Sequence, residues 1–300
     1  MLTIAHLSDV HLPPVPGLRL GDITPKRLLG YANWHRRRKG MHRRPVLDAL
    51  VEDMQRQRPD HIVVTGDLVN IGMPAEIAAA GLWLTTLGAP SRVTVIPGNH
   101  DVYGQQRAHP VFPEWRSYMS ADAEGRTLAA PGAHGFPFVK VIGRVALIGT
   151  STAVPTPPFL ATGRLGSLQR EALARVLATA GDRGLCRVLL IHHPPLPGQN
   201  DRTRRLEDAA ELAELLARHG AELVLHGHNH VPMLERARGP AGRIPVVGVS
   251  SASADLARHA PPARYNLIRI DDRDPPWTMT LTGRELAGGG FAEIERLALV

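Results

Sequence analysis

The stretch Arg92-Val93-Thr94-Val95-Ile96-Pro97-Gly98-Asn99-His100-Asp101 decides the fold. Its first half is a short, β-branched, apolar run with the composition of a buried strand. Pro97-Gly98 stops that run, and three polar side chains follow at once. Alone, Gly98-Asn99 is only a turn signal. Repetition gives it meaning, because an apolar run ending in a polar cluster recurs along the chain. Residues 3–8 run into Asp9-Val10-His11, and residues 60–65 into Gly66-Asp67. Residues 187–191 run into His192-His193-Pro194-Pro195, and residues 222–225 into His226-Gly227-His228-Asn229-His230. Open α/β sheets build their sites just past the carboxyl ends of their strands.

Between these strands the 3.6-residue period predicts helices over 26–34, 45–57, 74–87, 168–180 and 208–218, with a further one over 110–119. Thr24-Pro25 reads as an N-cap followed by proline at the first helical position. Gly143-Arg144 splits two apolar runs as a hairpin turn would. Three more β-like runs follow at 244–249, 265–270 and 277–282. Strands alternate with helices early and pair as hairpins late, which predicts an α/β (α+β) protein of two packed sheets with helices outside. One domain over 1–300 is expected, with an irregular insert at about 15–44.

Composition sets the bounds. Apolar residues make up 43% of the 300, which allows a packed core, and charged residues 21%, which argues against global disorder. The single cysteine, Cys186, cannot form an internal disulfide and sits in a predicted strand. His6 and Asp9 interrupt the first apolar residues, so no signal peptide is read there, and no window is long enough to span a bilayer. A cytoplasmic protein is the expectation. The net charge of +7 favours anionic partners. Lys26, Arg27, Arg36, Arg37, Arg38, Lys39, Arg43 and Arg44 account for all of it.

Asp9, His11, Asp67, Asn99, His192, His228 and His230 form the mixed oxygen and nitrogen set that suits Mn²⁺, Fe²⁺ or Zn²⁺. No thiolate joins them, which argues against a structural zinc site. They exceed what one tetrahedral ion needs and suit two ions sharing a carboxylate. Asp9-x-His11 and His228-x-His230 would each place two side chains on one face of an extended segment.

Asp9-x-His11, Gly66-Asp67, Gly98-Asn99-His100-Asp101, His192 and Gly227-His228-x-His230, in this order, resemble the calcineurin-like metallophosphoesterase superfamily. The bacterial phosphodiesterase branch is the nearer match. The resemblance runs from about residue 3 to about residue 250. It implies a four-layer sandwich of two mixed β-sheets flanked by helices, with a dinuclear metal centre at the strand ends. It also implies roles. Asp9, His11 and His230 hold one ion, and Asn99, His192 and His228 hold the other. Asp67 bridges them. His100 faces the phosphate as proton donor, and Asp101 orients His100. His6, His193 and His226 are left as supporting or packed groups. Mn²⁺ is the first expectation for the metal, with Fe, Zn²⁺ or Mg²⁺ as alternatives. The activity implied is hydrolysis of a phosphodiester.

The insert adds alternatives. Leu28, Leu29, Tyr31 and Trp34 beside the arginines suit an anionic membrane surface, and with it a lipid-linked diphosphate substrate. That would make the protein peripheral on the inner membrane surface. A basic run also suits nucleic acid, as in a nuclease or a binding protein. The plain alternative is an arm whose apolar residues pack on the domain and which adds no ligand. A metal-free scaffold is a further, non-enzymatic reading, and intact ligand blocks argue against it.

Overall fold

The structure, a computed structural model, describes residues 1–104, 112–128, 133–255, 261–271, 273 and 275–300, without the side chains of Arg37, Arg38 and Ala133. The first sheet is built from β1 (Leu2–Leu7), β2 (His61–Val64), β3 (Val93–Val95), β10 (Arg264–Asp271), β11 (Thr278–Ala287) and β12 (Gly290–Ala298). Its order is β12-β11-β10-β1-β2-β3. The second is built from β4 (Phe138–Ile142), β5 (Val145–Gly149), β6 (Cys186–Leu190), β7 (Leu223–His226), β8 (Met233–Gly239) and β9 (Gly242–Gly248), in the order β4-β5-β6-β7-β9-β8. Both sheets are mixed: β1-β2-β3 and β5-β6-β7-β9 are parallel, while the outer strands pair antiparallel.

Helices α1 (Pro25–Asn33), α2 (Arg44–Arg56), α3 (Pro74–Leu87), α4 (Gly125–Leu128), α5 (Ser167–Asp182) and α6 (Ala209–His219) complete the chain. Three apolar clusters show the layers. Ile4, Val63 and Ile268 of the first sheet meet Leu147, Val188 and Leu225 of the second. Leu47, Leu50 and Leu84 of α2 and α3 cover the outer face of the first sheet. Leu173, Leu177 and Leu212 of α5 and α6 cover that of the second. This is the expected four-layer arrangement. Parallel strands buried on both faces read as unbroken apolar runs, which is why β2 and β6 are plain in the sequence.

Two strands were not expected. β8 and β12 are edge strands whose side chains are exposed or half-buried, apart from Ala237, and β12 carries Glu293, Glu295 and Arg296. Backbone pairing on one side holds them, so no apolar run marks them. The helix expected over 110–119 is a 3₁₀ segment at Pro113–Met119, and its start lies outside the described residues.

The insert is anchored from within. The Thr24 side chain accepts from the Arg27 amide and caps α1. Lys26 and Arg27 are buried. Lys26 Nζ donates to the Thr156 carbonyl (2.8 Å) and hydroxyl (2.6 Å). Arg27 donates to the carbonyls of Ile71 (3.3 Å) and Gly72 (2.5 Å). Trp34 packs with Val15, Ile71 and Met73. A Cβ on Gly30 would lie 2.8 Å from the Tyr103 ring, so α1 needs glycine at this crossing. Two of the cations are therefore buried anchors, and Trp34 is a core residue. Leu20, Ile23, Leu28 and Leu29 remain exposed. Removing the Arg27 side chain leaves two buried carbonyls without their donor, and such losses cost about 1–3 kcal/mol. Arg27→Ala is expected to lower the melting temperature measurably, while Leu28→Ala on the exposed face leaves it nearly unchanged; calorimetry of the two variants checks this.

Candidate metal centre

All seven expected ligands converge where the two sheets' strand ends meet. β1 ends at Leu7, and the 9–12 loop continues beside the 66–68 loop through backbone bonds: Asp9 N to Gly66 O, His11 N to Asp67 O and Leu12 N to Leu68 O. Within the second sheet, Gly227 N donates to His192 O and ties the loops after β6 and β7, while His192 Nδ1 reaches Thr65 O of the first sheet at 2.7 Å. The amide of His228 donates to Asp9 Oδ2 at 3.0 Å, which ties the last block to the first. A Cβ on Gly227 would lie 1.9 Å from Ser8 Oγ and 2.5 Å from Asp9 Oδ2, so only glycine allows this approach.

The spacing argument needs correction. Asp9 and His11 are not on an extended segment, nor are His228 and His230. Asp9 (φ 52°), His11 (42°), Asp67 (53°), His228 (71°) and His230 (56°) are all left-handed. Such backbone costs about 1–3 kcal/mol per non-glycine residue and persists where surrounding structure enforces it, mostly at functional sites. Each turn aims its side chain inward from a loop rather than from a strand face.

Ring tautomers are fixed from outside. A carbonyl oxygen only accepts, so the ring nitrogen facing it carries the hydrogen. His11 Nδ1 faces Val69 O (3.1 Å), His192 Nδ1 faces Thr65 O (2.7 Å), and His228 Nε2 faces Arg204 O (2.9 Å). The opposite nitrogen of each ring turns inward. His11 Nε2 lies 3.2 Å from His230 Nε2 and 3.9 Å from Asp67 Oδ2. His192 Nε2 lies 3.4 Å from Asp67 Oδ2 and 3.1 Å from Asn99 Oδ1. His228 Nδ1 is 2.9 Å from Asn99 Oδ1, and His230 Nε2 is 3.1 Å from Asp9 Oδ1. Metal-binding histidines characteristically donate their outer N–H to a carbonyl or carboxylate in this way. Asp67 lies beside both groups, and the donor chemistry fits two divalent ions.

Electrostatics agree. Burial pushes the Asp67 carboxyl up, but His192, His100 and His11 hold it well below the usual range. Burial likewise opposes Asp9, and His230 with His192 holds it low. Burial, with His193 and His192 beside it, keeps His228 neutral. Among the supporting imidazoles, burial drives His6 and His193 down to about 3 and His226 to about 4. His192 is the exception: burial opposes its charge, but Asp67 raises it to about 9.

The two remaining expected residues, His100 and Asp101, are held by backbone groups of the same loops. His100 is part-exposed, and its Nδ1 lies 2.5 Å from the Asn70 carbonyl, which orients the ring. The Asp101 carboxylate accepts from the amides of Gly98 (2.8 Å), Asp67 (3.0 Å), Leu68 (2.8 Å) and Val69 (3.1 Å). It fixes the two loops that carry Asp67 and Asn99. Sequence reasoning missed Asn70's carbonyl and also His42, a buried imidazole whose ring centroid is 4.5 Å from that of His11. His42 lies in the basic run rather than at a strand end, and the charge of its neighbours hid it.

Comparison with known proteins follows the same lines. A family profile described as calcineurin-like phosphoesterase matches residues 2–232, and the chain belongs to that family. It is 31% identical over 235 residues to a cAMP/cGMP dual specificity phosphodiesterase of Mycobacterium tuberculosis, covering 76% of this chain and 61% of that protein. It is 29% identical over 180 residues to a glycerophosphodiester phosphodiesterase of Enterobacter lignolyticus, covering 58% and 57%. The chain thus spans about three fifths of the length of these relatives. A dimetal phosphatase from Danio rerio shares the fold, with a TM-score of 0.61 at 14% identity over 99% of this chain and 98% of that one. Among the described residues no helix is long and apolar enough to cross a membrane.

The raised His192 gives a testable sign. The ring must release its inward proton to ligate an ion, and it is protonated below about pH 9. Ion uptake at neutral pH is therefore expected to release about one proton per chain, and affinity should rise with pH towards 9. Calorimetric titration with Mn²⁺ in two buffers of different ionisation enthalpy checks this, and a buffer-independent enthalpy at pH 7 would contradict it.

Proposed function

We propose that the chain is a dinuclear-metal-dependent phosphodiesterase. The observation that carries this reading is the set of three histidines, His11, His192 and His228, each held by a backbone carbonyl so that its other nitrogen faces Asp67 or Asn99. Asp9, His11 and His230 hold one ion; Asn99, His192 and His228 hold the other; Asp67 lies between. Two such ions supply an activated water and a clamp for phosphate oxygens. Mn²⁺, Fe²⁺ and Zn²⁺ all suit this mixed oxygen and imidazole set, and Mn²⁺ is the first to test.

The chain's own groups do the rest. Two carboxylates against two dications leave the pocket cationic, which draws in the phosphate anion. Attack of water on phosphorus forms one P–O bond and breaks another, and the departing oxygen needs a proton. His100, with Nδ1–H held on Asn70, would deliver that proton from Nε2 in its imidazolium form, and the proton given up by the attacking water would balance the one delivered. Tyr103 stacks on its ring at 12° between planes and limits its rotation. Asp101 acts through the backbone of both loops.

The diester class follows from the two phosphodiesterase relatives, of which one acts on cyclic nucleotides and the other on glycerophosphodiesters. One observation favours a second reading, a lipid-linked diphosphate at a membrane surface: Leu20, Ile23, Leu28 and Leu29 are exposed together on the insert. On that reading Leu20→Ser with Leu28→Ser weakens sedimentation with anionic vesicles and spares turnover of a soluble diester. Unchanged sedimentation removes it.

For the main reading, wild-type protein should bind two ions and cleave bis-p-nitrophenyl phosphate, and Asp67→Ala should lose both ion binding and turnover. His100→Ala should keep its ions, lose about 10²–10⁴-fold on alkyl diesters and lose much less with p-nitrophenolate leaving. Two retained ions with near-normal turnover in Asp67→Ala would overturn the dinuclear assignment. Equal losses on both substrates would remove His100 as proton donor.

A further inference from the structure

We propose that His42, delivered by the basic insert, is a further protein ligand on the His11 and His230 side of the metal centre, an inference that rests on the dinuclear reading above. His42 is held in place from two sides. On one, the chain leaving the insert is stitched to residues 253–255: Arg43 N donates to Ser253 O, Asp255 N donates to Met41 O, and His42 bridges Ala254. Arg43 and Asp255 add an ion pair at 2.8 Å. On the other, His42 Nδ1 lies 2.8 Å from Ser253 Oγ, next to Ser251, whose hydroxyl donates to the Asp9 carbonyl at 2.6 Å. His42 is thus fixed to the same backbone turn that aims Asp9.

The ring faces the ion pocket. Its centroid lies 4.5 Å from that of His11 and 5.9 Å from that of His230. One nitrogen from each of the three rings falls within 4.8 Å of the others. Ligands on opposite sides of an ion with bonds of ~2.1 Å stand ~4.2 Å apart, so a common ion is within a few tenths of an ångström of reach. With Nδ1 held by Ser253, Nε2 is the nitrogen assigned as the donor. His42 would then join Asp9, His11, His230 and Asp67 as a further donor, beside the water that the ions would activate. The insert, expected to contribute no ligand, supplies one.

The test reads ion binding rather than turnover. Ion-free wild-type, His42→Ala and His42→Phe are titrated with Co²⁺, following visible ligand-field absorption and ions bound per chain. Phenylalanine keeps the ring's volume and its contact with His11 but has no nitrogen. Melting temperatures of the ion-free proteins show whether each variant folds. Both variants are expected to bind one of the two ions at least about tenfold more weakly, with an altered spectrum. Added imidazole is expected to restore affinity and spectrum in His42→Ala, which a merely structural role would not do. Wild-type affinities and spectrum in His42→Phe would overturn the proposal while leaving the dinuclear reading intact. A wild type that binds no ions would overturn the dinuclear reading itself.

Discussion

The Asp101 carboxylate, fully buried, gathers four backbone amides from the loops after β2 and β3, and the geometry of the centre depends on that clamp. The amide of His100 in turn donates to Asp67 Oδ1 at 2.7 Å, so the two loops hold each other in both directions. Four donors favour a charged Asp101. Burial and the charge of Asp67 oppose them and raise its carboxyl to about 8. A dication beside Asp67 would cancel the second of these causes, so ion binding and the tightening of the loop clamp reinforce each other.

Left-handed backbone at five of the proposed ligand positions is the local cost of this arrangement. A strand's alternating side chains point to opposite faces, whereas a dinuclear site needs donors aimed inward from several directions. Turning the backbone immediately after each strand meets that need. The buried neighbours make the turns affordable: Gly66, Gly98 and Gly227 stand where any Cβ would strike a facing loop.

The sequence was most legible where burial is greatest. β1, β2, β6 and β7 lie inside their sheets, and β3, at an edge, is covered as completely, so both these mostly apolar strands and the polar blocks after them stood out. β8 and β12 did not, because a strand held at an edge needs no apolar face. That these side chains would converge was legible, but their local conformation was not. Asp-x-His reads as one face of a strand, and nothing in the residue pair signals that both members sit at positive φ. His42 was illegible for a different reason. Its place in the site comes from pairing with residues more than 200 positions away, and no local pattern encodes that.

The insert joins these threads. Charge alone makes residues 26–44 look like a solvated, anion-seeking arm. The structure divides that segment by depth. Lys26 and Arg27 are spent on carbonyls of the 71–72 and 156–160 loops, where burial lowers Lys26 to about 8. Trp34 is buried, and Arg36 and Lys39 face solvent. Because Arg27 grips the chain directly after Asn70, and Asn70 holds His100, the insert bears on the position of His100 through one hydrogen bond and one peptide. Gly30, Asn33 and Trp34 line a small cavity with Asn70, His100 and Tyr103. A segment that anchors the loop of His100 and walls the space beside it is part of the site's architecture, whatever its outer face meets.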